Sequence, residues 1–366
     1  PPDGIDVPRW VCEDPQRGTV MSAIATVGLD LAKNVFQVHG ADAAGRAVLR
    51  KKLRREQVLA FFSQLPHCVV AMEACGGARF WGRELGNLGH EVRLIPPAYV
   101  KPFVKRQKND AADAEAICEA ALRPTMRFVP VKSEGTQGAA MVFRIRELLI
   151  RQRTQAINAL RGHLGEFGQV VPQGAANAAR LVAIVEDPDS GLPADAIATL
   201  KVLVAALAHL ETEIGKLDAE VAVRAKENDV ARRLMTVPGI GLLIATAIAV
   251  LAPPPETFRR ARDFAAWLGL TPRQHSTGGK QCLGATTKMG ERSLRRLLII
   301  GANSVIIKRH VHAAAKPGTW LGTWLGGMLM RKPPMLVRVA LANKMARIVW
   351  ALMARGGVYQ APATVA

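Results

Sequence analysis

The sequence predicts a mixed α/β domain at the N-terminal end, followed by a longer all-α remainder. Up to about residue 123, short apolar runs bounded by Gly, Pro and Asp alternate with helical patterns. Beyond about residue 131 the strand signals stop, and long stretches with helical periodicity take their place. With 366 residues, of which 49% are hydrophobic, the chain is long and apolar enough for two or three domains with cores of their own.

The N-terminal part begins with three strand-like runs and continues with a helix and alternating strands and helices. Strands are predicted at residues 24–29, 35–40, 47–52, 68–72 and 92–95, and helices at 56–64, 79–88 and 111–122. Asn109 is the expected cap of the last of these helices. This order is that of a ribonuclease-H-like fold, and functional side chains gather at the strand ends of such sheets.

The remainder consists of long helices and then a compact helical region. The spacing at 142–164 and 196–230 predicts two paired helices forming a coiled-coil arm, with residues 165–193 as a connector. Further helices are predicted at 258–268, 293–308 and 336–353, with a glycine-rich polar loop at 271–284. The immediate repeat G-T-W-L-G-T-W-L at 318–325 is interpreted as a local packing feature or loop.

These patterns predict a division of the chain into five segments. Residues 1–20 are polar and rich in proline, unlike the rest of the chain, and are interpreted as an extension, because Met21 opens directly into a strand pattern. Residues 21–130 form the predicted catalytic domain, and 131–232 the helical arm. Residues 233–355 form a helical C-terminal domain, and 356–366 a tail.

Composition points to a cytoplasmic protein that acts on nucleic acid. A formal net charge of +19 repels itself in a compact chain, and attraction of a polyanion is its usual purpose. The five cysteines are odd in number and show no C-x-x-C spacing, which argues against a disulfide framework or a zinc knuckle. The longest apolar run, residues 240–252, is too short to cross a bilayer, so we expect no membrane partner.

Four carboxylates carry the strongest chemical signal. Asp30 and Glu73 each end an apolar strand-like run, and Asp110 and Asp113 share one turn at the start of a predicted helix. Oxygen ligands on rigid elements suit Mg²⁺, and two such ions can promote phosphoryl transfer. We therefore predict a site for Mg²⁺, with two ions, at these acids. The alternative for the helical pair is a merely favourable interaction with the helix dipole.

Basic residues near these acids are candidates for nucleic-acid contacts. Lys33 follows Asp30 closely, and Lys105, Arg106 and Lys108 directly precede the aspartate pair. Each can bind a phosphate of the backbone. For Lys33 a solvated turn residue is the slightly favoured alternative, and for the other three a solvated loop explains the pattern equally well.

A second constellation lies in the predicted polar loop, in the run T-P-R-Q-H-S-T-G-G-K at 271–280. Ser276 follows an imidazole and precedes two glycines, and its hydroxyl is a nucleophile if its proton is removed. Arg273 and Lys280 flank it as candidate phosphate contacts. On residue types alone, a flexible loop is the more common explanation of such a run.

A third constellation is the V-P-G-I-G turn at 237–241 before an apolar helix. It is similar to the hairpin of helix-hairpin-helix modules, in which backbone amides hold phosphates, so Gly239 and Gly241 are candidate contacts. The later residues Lys288, Arg295 and Arg296 favour a surface that faces DNA. The alternative for the glycines is a simple tight turn.

Taken together, these motifs resemble the DEDD transposases of the insertion-sequence family one-ten, relatives of the Piv invertase that are called bridge recombinases. The matching stretches, in order over residues 24–347, are V-G-L-D-L-A-K, A-M-E-A-C-G-G, K-N-D-A-A-D-A-E-A-I, V-P-G-I-G, G-L-T-P-R-Q-H-S-T-G-G-K and L-G-A-T-T-K-M-G-E-R-S-L-R-R-L-L. The chain departs from the family pattern at Thr277, where a second serine is expected, and at Cys282, where a basic residue is expected.

The resemblance implies a RuvC-like domain in which Asp30, Glu73, Asp110 and Asp113 bind magnesium. It implies a coiled-coil arm and a C-terminal transposase domain in which Ser276 forms a covalent link to DNA. It further implies a homodimer or homotetramer, donor and target DNA as substrates, and a structured guide RNA that recognises both by base pairing.

The expected function is therefore RNA-guided DNA transposition. Two alternatives use the same residues. A RuvC-like nuclease would hydrolyse DNA with water at the same metals and would need no serine. A non-catalytic nucleic-acid-binding protein would use the acids only structurally.

Overall fold

The computed structural model describes residues 24–105, 109–311 and 320–360, and side chains are described outside 308–323. The predicted extension at residues 1–20 and the candidate contacts Arg106 and Lys108 therefore lie outside the described residues. The chain divides into two compact units, one ending at Glu134 and the other beginning at Gly135. A further division of the second unit into an arm and a C-terminal domain stays a prediction.

The first unit is built on a five-stranded mixed sheet of order β3-β2-β1-β4-β5. The first three strands are antiparallel neighbours, whereas β4 and β5 run parallel to β1. The strands are β1 (Thr26–Asp30), β2 (Val35–Ala41), β3 (Ala47–Arg54), β4 (Val69–Glu73) and β5 (Glu91–Ile95). The helices are α1 (Val58–Phe62), α2 (Ala78–Asn87), α3 (Pro97–Val100) and α4 (Asp110–Ala121).

The two faces of this sheet are covered by different helices. Leu29, Phe36 and Met72 belong to a core that also contains buried residues of α1 and α2. Because side chains alternate along a strand, the next residues face the other side. There Ala71 and Ile95 pack with α4 in a separate apolar cluster. By the same alternation, the side chains of Asp30 and Glu73 lie on the face of the sheet that α4 covers.

A glycine lets α4 lie directly against β1. A Cβ atom placed on Gly28 would be 2.1 Å from the Ala114 carbonyl oxygen and 2.7 Å from the Cys118 nitrogen, both in α4. No side chain fits into that gap. The close approach fixes α4 against the strand that ends at Asp30, and Asn109 caps the helix by accepting a bond from the Ala111 N–H (3.0 Å).

The second unit is mostly helical. Its helices are α5 (Glu134–Glu166), α6 (Ala178–Glu186), α7 (Ala194–Glu227), α8 (Asp229–Leu234), α9 (Leu242–Leu251), α10 (Ala261–Trp267), α11 (Arg292–Val311), α12 (Trp320–Arg331) and α13 (Pro334–Arg355). Its strands are β6 (Pro272–Gln274) and β7 (Leu283–Thr286), which pair antiparallel.

Two regions predicted as loop or connector contain regular structure. The connector at 165–193 includes α6, whose Leu181 and Val185 are fully buried against α5 and α7. The polar loop at 271–284 forms most of the β6–β7 hairpin. Its residues are polar and glycine-rich because the hairpin is exposed on both faces, so the alternating pattern of a half-buried strand is missing. The described end of the repeat at 318–325 begins α12.

The long helices α5 and α7 run in opposite directions. The end of α5, at Leu160 and Leu164, shares a core with the beginning of α7. Near the start of α5, Arg146 forms an ion pair with Asp218 of α7 (2.5 Å). Four of the five buried positions of α7 fall seven residues apart, at Leu200, Leu207, Ile214 and Val221, and the fifth is Ala225. That spacing is typical of a coiled-coil seam, and the coiled-coil arm stays a prediction.

The predicted architecture of an α/β N-terminal part and a mostly helical remainder is confirmed. Among the described helices, none is both long and apolar enough to cross a bilayer.

Candidate metal centre and serine loop

Three of the four predicted acids converge in the first unit. Asp30 ends β1, and Asp110 and Asp113 lie in the first turn of α4. Each of these three offers a carboxylate oxygen, and the three oxygens lie within 4.8 Å of one another. Glu73 ends the neighbouring strand β4, one residue after the partner of Leu29, and it interacts electrostatically with Asp30 and Asp113.

The acids repel one another in the absence of a cation. Burial, and then the charges of Asp113, Asp110 and Glu73, raise the pKa of Asp30 to about 6, although the Leu31 N–H partly offsets this. Burial and the charge of Asp113 likewise raise the pKa of Glu73. Among the described residues, no lysine or arginine forms an ion pair with Asp30, Glu73, Asp110 or Asp113. Uncompensated negative charge on rigid elements is what a bound cation would neutralise.

The donor set fits a hard divalent cation. All the ligands are carboxylate oxygens, which Mg²⁺ prefers to nitrogen or sulfur. Asp113 and Glu73 are partly buried, whereas Asp110 is exposed, so the site is open on one side. An open side leaves room for water or a phosphate group on the metal.

Ser276 lies in the second unit, in the connection of the β6–β7 hairpin. The tip is closed by a bond from the Lys280 N–H to the Thr277 carbonyl (3.0 Å), around Gly278 and Gly279. Both glycines have positive φ, 54° and 74°, as a tight hairpin turn of two residues requires. Ser276 is exposed, and its Oγ accepts a bond from the Cys282 N–H (3.2 Å). The serine is thus held by the hairpin with its hydroxyl at the surface.

The neighbouring imidazole is directed elsewhere. A Cβ atom on Gly284 would lie 3.4 Å from the His275 Nε2, so the ring packs over that glycine of β7. In the described part of the chain, His275 makes no hydrogen bond to Ser276. In this structure, His275 is therefore not positioned to act as a general base for Ser276.

One family model matches the part of the chain that contains the four acids, and another matches the part that contains Ser276. A transposase model of the DEDD type for IS110 matches residues 27–168, and the model described as Transposase IS116/IS110/IS902 family matches residues 231–316. A protein of Pseudomonas aeruginosa described as a probable family 20 transposase is 48% identical over 92% of this chain and 99% of its own length.

The chain belongs to the IS110 family of transposases.

Other relatives carry insertion-sequence names. The transposase for insertion sequence element IS1328 of Yersinia enterocolitica is 39% identical, over 93% of this chain and 99% of its own. The transposase for IS1111A of Coxiella burnetii is 37% identical, over 94% of each chain. The resemblance predicted from the sequence motifs is confirmed at the level of the family.

The basic residues of this transposase near the acids differ in their surroundings. Lys33 is exposed in the turn after β1. The Lys105 ammonium binds the Glu115 carboxylate (2.5 Å), which also pairs with Arg50 (3.4 Å). A phosphate would have to compete with Glu115 for Lys105. Lys33 and Lys105 stay candidates for nucleic-acid binding.

The basic residues around the serine hairpin also have distinct partners. Arg273 and Lys280 are exposed on the hairpin, and Lys288, with φ 55°, is exposed just after it. Arg295 has an intramolecular role. Its Nη1 donates to the carbonyls of Leu268 (3.1 Å) and Met289 (2.8 Å), which lie on the two sides of the hairpin base.

Arg296 contacts a residue on another helix of the same unit. Its guanidinium pairs with Glu147 (3.3 Å), which also accepts a bond from the Ser293 hydroxyl (2.7 Å). This network holds the start of α11 to α5. The nucleic-acid contact predicted for Arg296 would require the guanidinium to leave this carboxylate or to bind a phosphate with its remaining donors.

The V-P-G-I-G turn packs against α11. Gly239, with φ 83°, approaches Gly301 so closely that a Cβ atom would lie 2.6 Å from the Gly301 carbonyl oxygen. Gly241 begins α9, and a Cβ atom there would meet nothing within 4 Å. Gly239 thus serves helix packing, while Gly241 leaves the backbone of the helix start open to an approaching group.

Two polar residues on β2 had no place in the sequence predictions. Gln37 and His39 are buried, and their register with Asp30 and Gly28 puts both on the α4 side of the sheet. A polar residue at every second position of a strand that is otherwise apolar was the signal that could have identified them.

Proposed function

We propose that this transposase acts as an RNA-guided recombinase, in which Ser276 attacks a DNA phosphate with the help of Mg²⁺ bound by Asp30, Glu73, Asp110 and Asp113. The observation that carries the metal part is the convergence of three carboxylate oxygens within 4.8 Å. Strand order 3-2-1-4-5, with the first acid at the end of the central strand, supports a RuvC-like, ribonuclease-H-like assignment of this unit.

Each group has a defined role in this proposal. Bound magnesium would polarise the scissile phosphate and stabilise the departing oxygen. The acids hold their carboxylates on two strands and one helix turn, so that little rearrangement is needed on binding. Ser276 presents an exposed hydroxyl. Its proton passes to solvent as Oγ bonds to phosphorus, and the bond from phosphorus to the sugar oxygen breaks. The departing sugar oxygen takes up a proton from solvent and leaves as a hydroxyl. The product is a covalent serine–DNA link.

The partners are inferred from charge and family. A net charge of +19 favours binding of both DNA and a structured guide RNA. The protein would then contact mainly backbone and shape, while base pairing with the RNA selects the donor and target sites. The proposed assembly is a homodimer or homotetramer with a coiled-coil arm.

A recombination assay tests the serine. The full-length protein is incubated with guide RNA, donor DNA, target DNA and Mg²⁺, and products are separated on denaturing gels. We expect a protein–DNA adduct and recombined strands, both lost in Ser276→Ala. Thr277→Ala is the matched control, because it removes the adjacent hydroxyl and leaves Ser276 in place. A Ser276→Ala protein that still recombines the strands would disprove the role of the serine.

Asp30→Ala tests the metals in the same assay. We expect recombination to fall below detection, with binding of DNA and RNA retained. Strand cleavage without any adduct would favour the nuclease alternative, since water would then be the nucleophile. Calorimetry showing no Mg²⁺ binding to the wild type would favour the non-catalytic alternative.

A further inference from the structure

Gln37 stands beside Asp30 in the sheet. The antiparallel register of β1 and β2 places these two residues directly opposite each other. Opposed residues of antiparallel strands point to the same face, with Cβ atoms about 4.5–5.5 Å apart. The Gln37 carboxamide therefore extends from the same face as the Asp30 carboxylate, one strand away.

The surroundings of Gln37 are unusual for a polar side chain. It is 8% exposed, yet no hydrogen bond to its carboxamide is present among the described residues. The carboxamide is not among the described polar atoms that are fully buried without a partner, so at least part of it is open to solvent or to a ligand. Its neighbours along the strand, Phe36 and Val38, face the apolar core on the other side.

The side chains paired in register on this face of β3, β2 and β1 differ in charge. The next residue in the same row, Lys52 of β3, is exposed and pairs in register with Gln37. Across the paired strands β3, β2 and β1, these three positions therefore carry an ammonium group, an amide and a carboxylate. Amide carbonyl oxygens are ligands of hard divalent cations and acceptors for their bound waters.

We propose that Gln37 is a further residue of the metal site, and that its side-chain carbonyl oxygen joins the coordination sphere of the cation, directly or through one metal-bound water. This inference rests on the metal site proposed above. Gln37 is a positioning and binding residue of that site, with the acids remaining the principal ligands.

Calorimetry with Mg²⁺ and thermal unfolding in EDTA test the proposal on the full-length protein. We expect Gln37→Leu to bind Mg²⁺ about 10-fold more weakly, as is common for outer residues of metal sites. Its unfolding temperature in EDTA should stay close to that of the wild type, because the carboxamide makes no hydrogen bond among the described residues of the metal-free protein. Gln37→Glu keeps the oxygen and adds charge, so it should bind Mg²⁺ more tightly than the wild type. Gln64→Leu, at an exposed position of the same unit, is the matched control and should change neither quantity.

The outcomes separate this inference from the proposed function. If Asp30→Asn abolishes Mg²⁺ binding but Gln37→Leu binds like the wild type, only the role of Gln37 is wrong. If Asp30→Asn also binds normally, the metal site itself is wrong. A Gln37→Leu protein that loses thermal stability in EDTA, or a Gln37→Glu protein that binds Mg²⁺ more weakly, would contradict a carbonyl ligand.

Discussion

At Asp30, burial and neighbouring charge act in the same direction. Both disfavour the ionised carboxylate, so its pKa rises to about 6 from an ordinary value of 3.8. Between pH 3.8 and about pH 6, the metal-free folded protein therefore keeps a proton on Asp30 that the unfolded chain has released. The site that would hold a cation is thus a source of instability when it holds none.

This linkage predicts a pH dependence of stability in EDTA. With its raised pKa, Asp30 contributes stability that is fully present below pH 4 and is lost as the pH rises through about 6. We expect this contribution to be on the order of 1 kcal/mol, since the group is partly solvated. Urea unfolding from pH 4 to pH 7 measures it. Asp30→Asn should flatten the profile in part, because the pKa of Glu73 is also raised. An Asn variant with the wild-type profile would contradict the assignment.

At the scale of elements, α4 carries half of the acidic cluster and depends on Gly28 for its position. The helix contacts β1 where the glycine leaves room for the Ala114 carbonyl. Asp110 and Asp113 then start the helix at the level of Asp30. The spacing of two elements thus decides whether the acids meet.

Gly28→Ala should disturb this spacing. The added methyl would overlap backbone atoms of α4, which cannot move aside as a flexible side chain would, and overpacking costs about 1–3 kcal/mol. We expect lower stability by urea unfolding together with weaker Mg²⁺ binding by calorimetry. Gly86→Ala in α2 is the control, because a Cβ atom there meets nothing within 4 Å. Wild-type Mg²⁺ affinity in Gly28→Ala would show that the acids do not depend on this approach.

Arg295 has a comparable role for the serine hairpin. Its Nη1 links Leu268 and Met289, so it joins the two sides of the hairpin base. Part of its positive charge is thereby used inside the protein, and burial lowers the pKa of its guanidinium.

Arg295→Met should loosen the hairpin while the apolar stem of the side chain is kept. We expect adduct formation through Ser276 to fall by at least about 10-fold, if misplacement of a reacting group costs as much as it does elsewhere. Proteolysis within residues 271–288 should become faster. The exposed Arg292→Met has the same charge change and serves as the control. Equal losses in both variants would indicate a general effect of charge.

At the scale of the whole molecule, the chain combines a formal net charge of +19 with a small acidic cluster in its first unit. The two act on the same polyanion in different ways. The cationic surface attracts the nucleic acid, whereas the acids require a cation before a phosphate can approach them closely.

Binding of nucleic acid should therefore depend steeply on salt. If about six phosphates are neutralised, affinity should fall about a thousandfold between 50 and 200 mM salt. Fluorescence anisotropy with labelled duplex DNA or RNA measures the slope. Ser276→Ala should leave this slope unchanged, because it removes no charge. Affinity independent of salt would contradict an electrostatic role for the net charge.

The sequence by itself determined the order of strands and helices in the first unit, apart from the short helix α3, and the cap at Asn109. It also singled out four acids, three of which converge in the structure. These are local signals, since an apolar run that ends in a carboxylate can be recognised without knowing its neighbours. It also showed the serine motif, although the exposed hairpin around Ser276 has no core-facing alternation, and its pattern therefore predicts a loop.

Only the tertiary structure decided which polar groups share a site. The register of β1 and β2 sets Gln37 beside Asp30, and the fold places the Arg295 guanidinium between the carbonyls of Leu268 and Met289. Both facts depend on pairings between segments that are separated along the chain. A local pattern can determine what a segment forms, but the partner of a side chain is set by the packing of other segments against it.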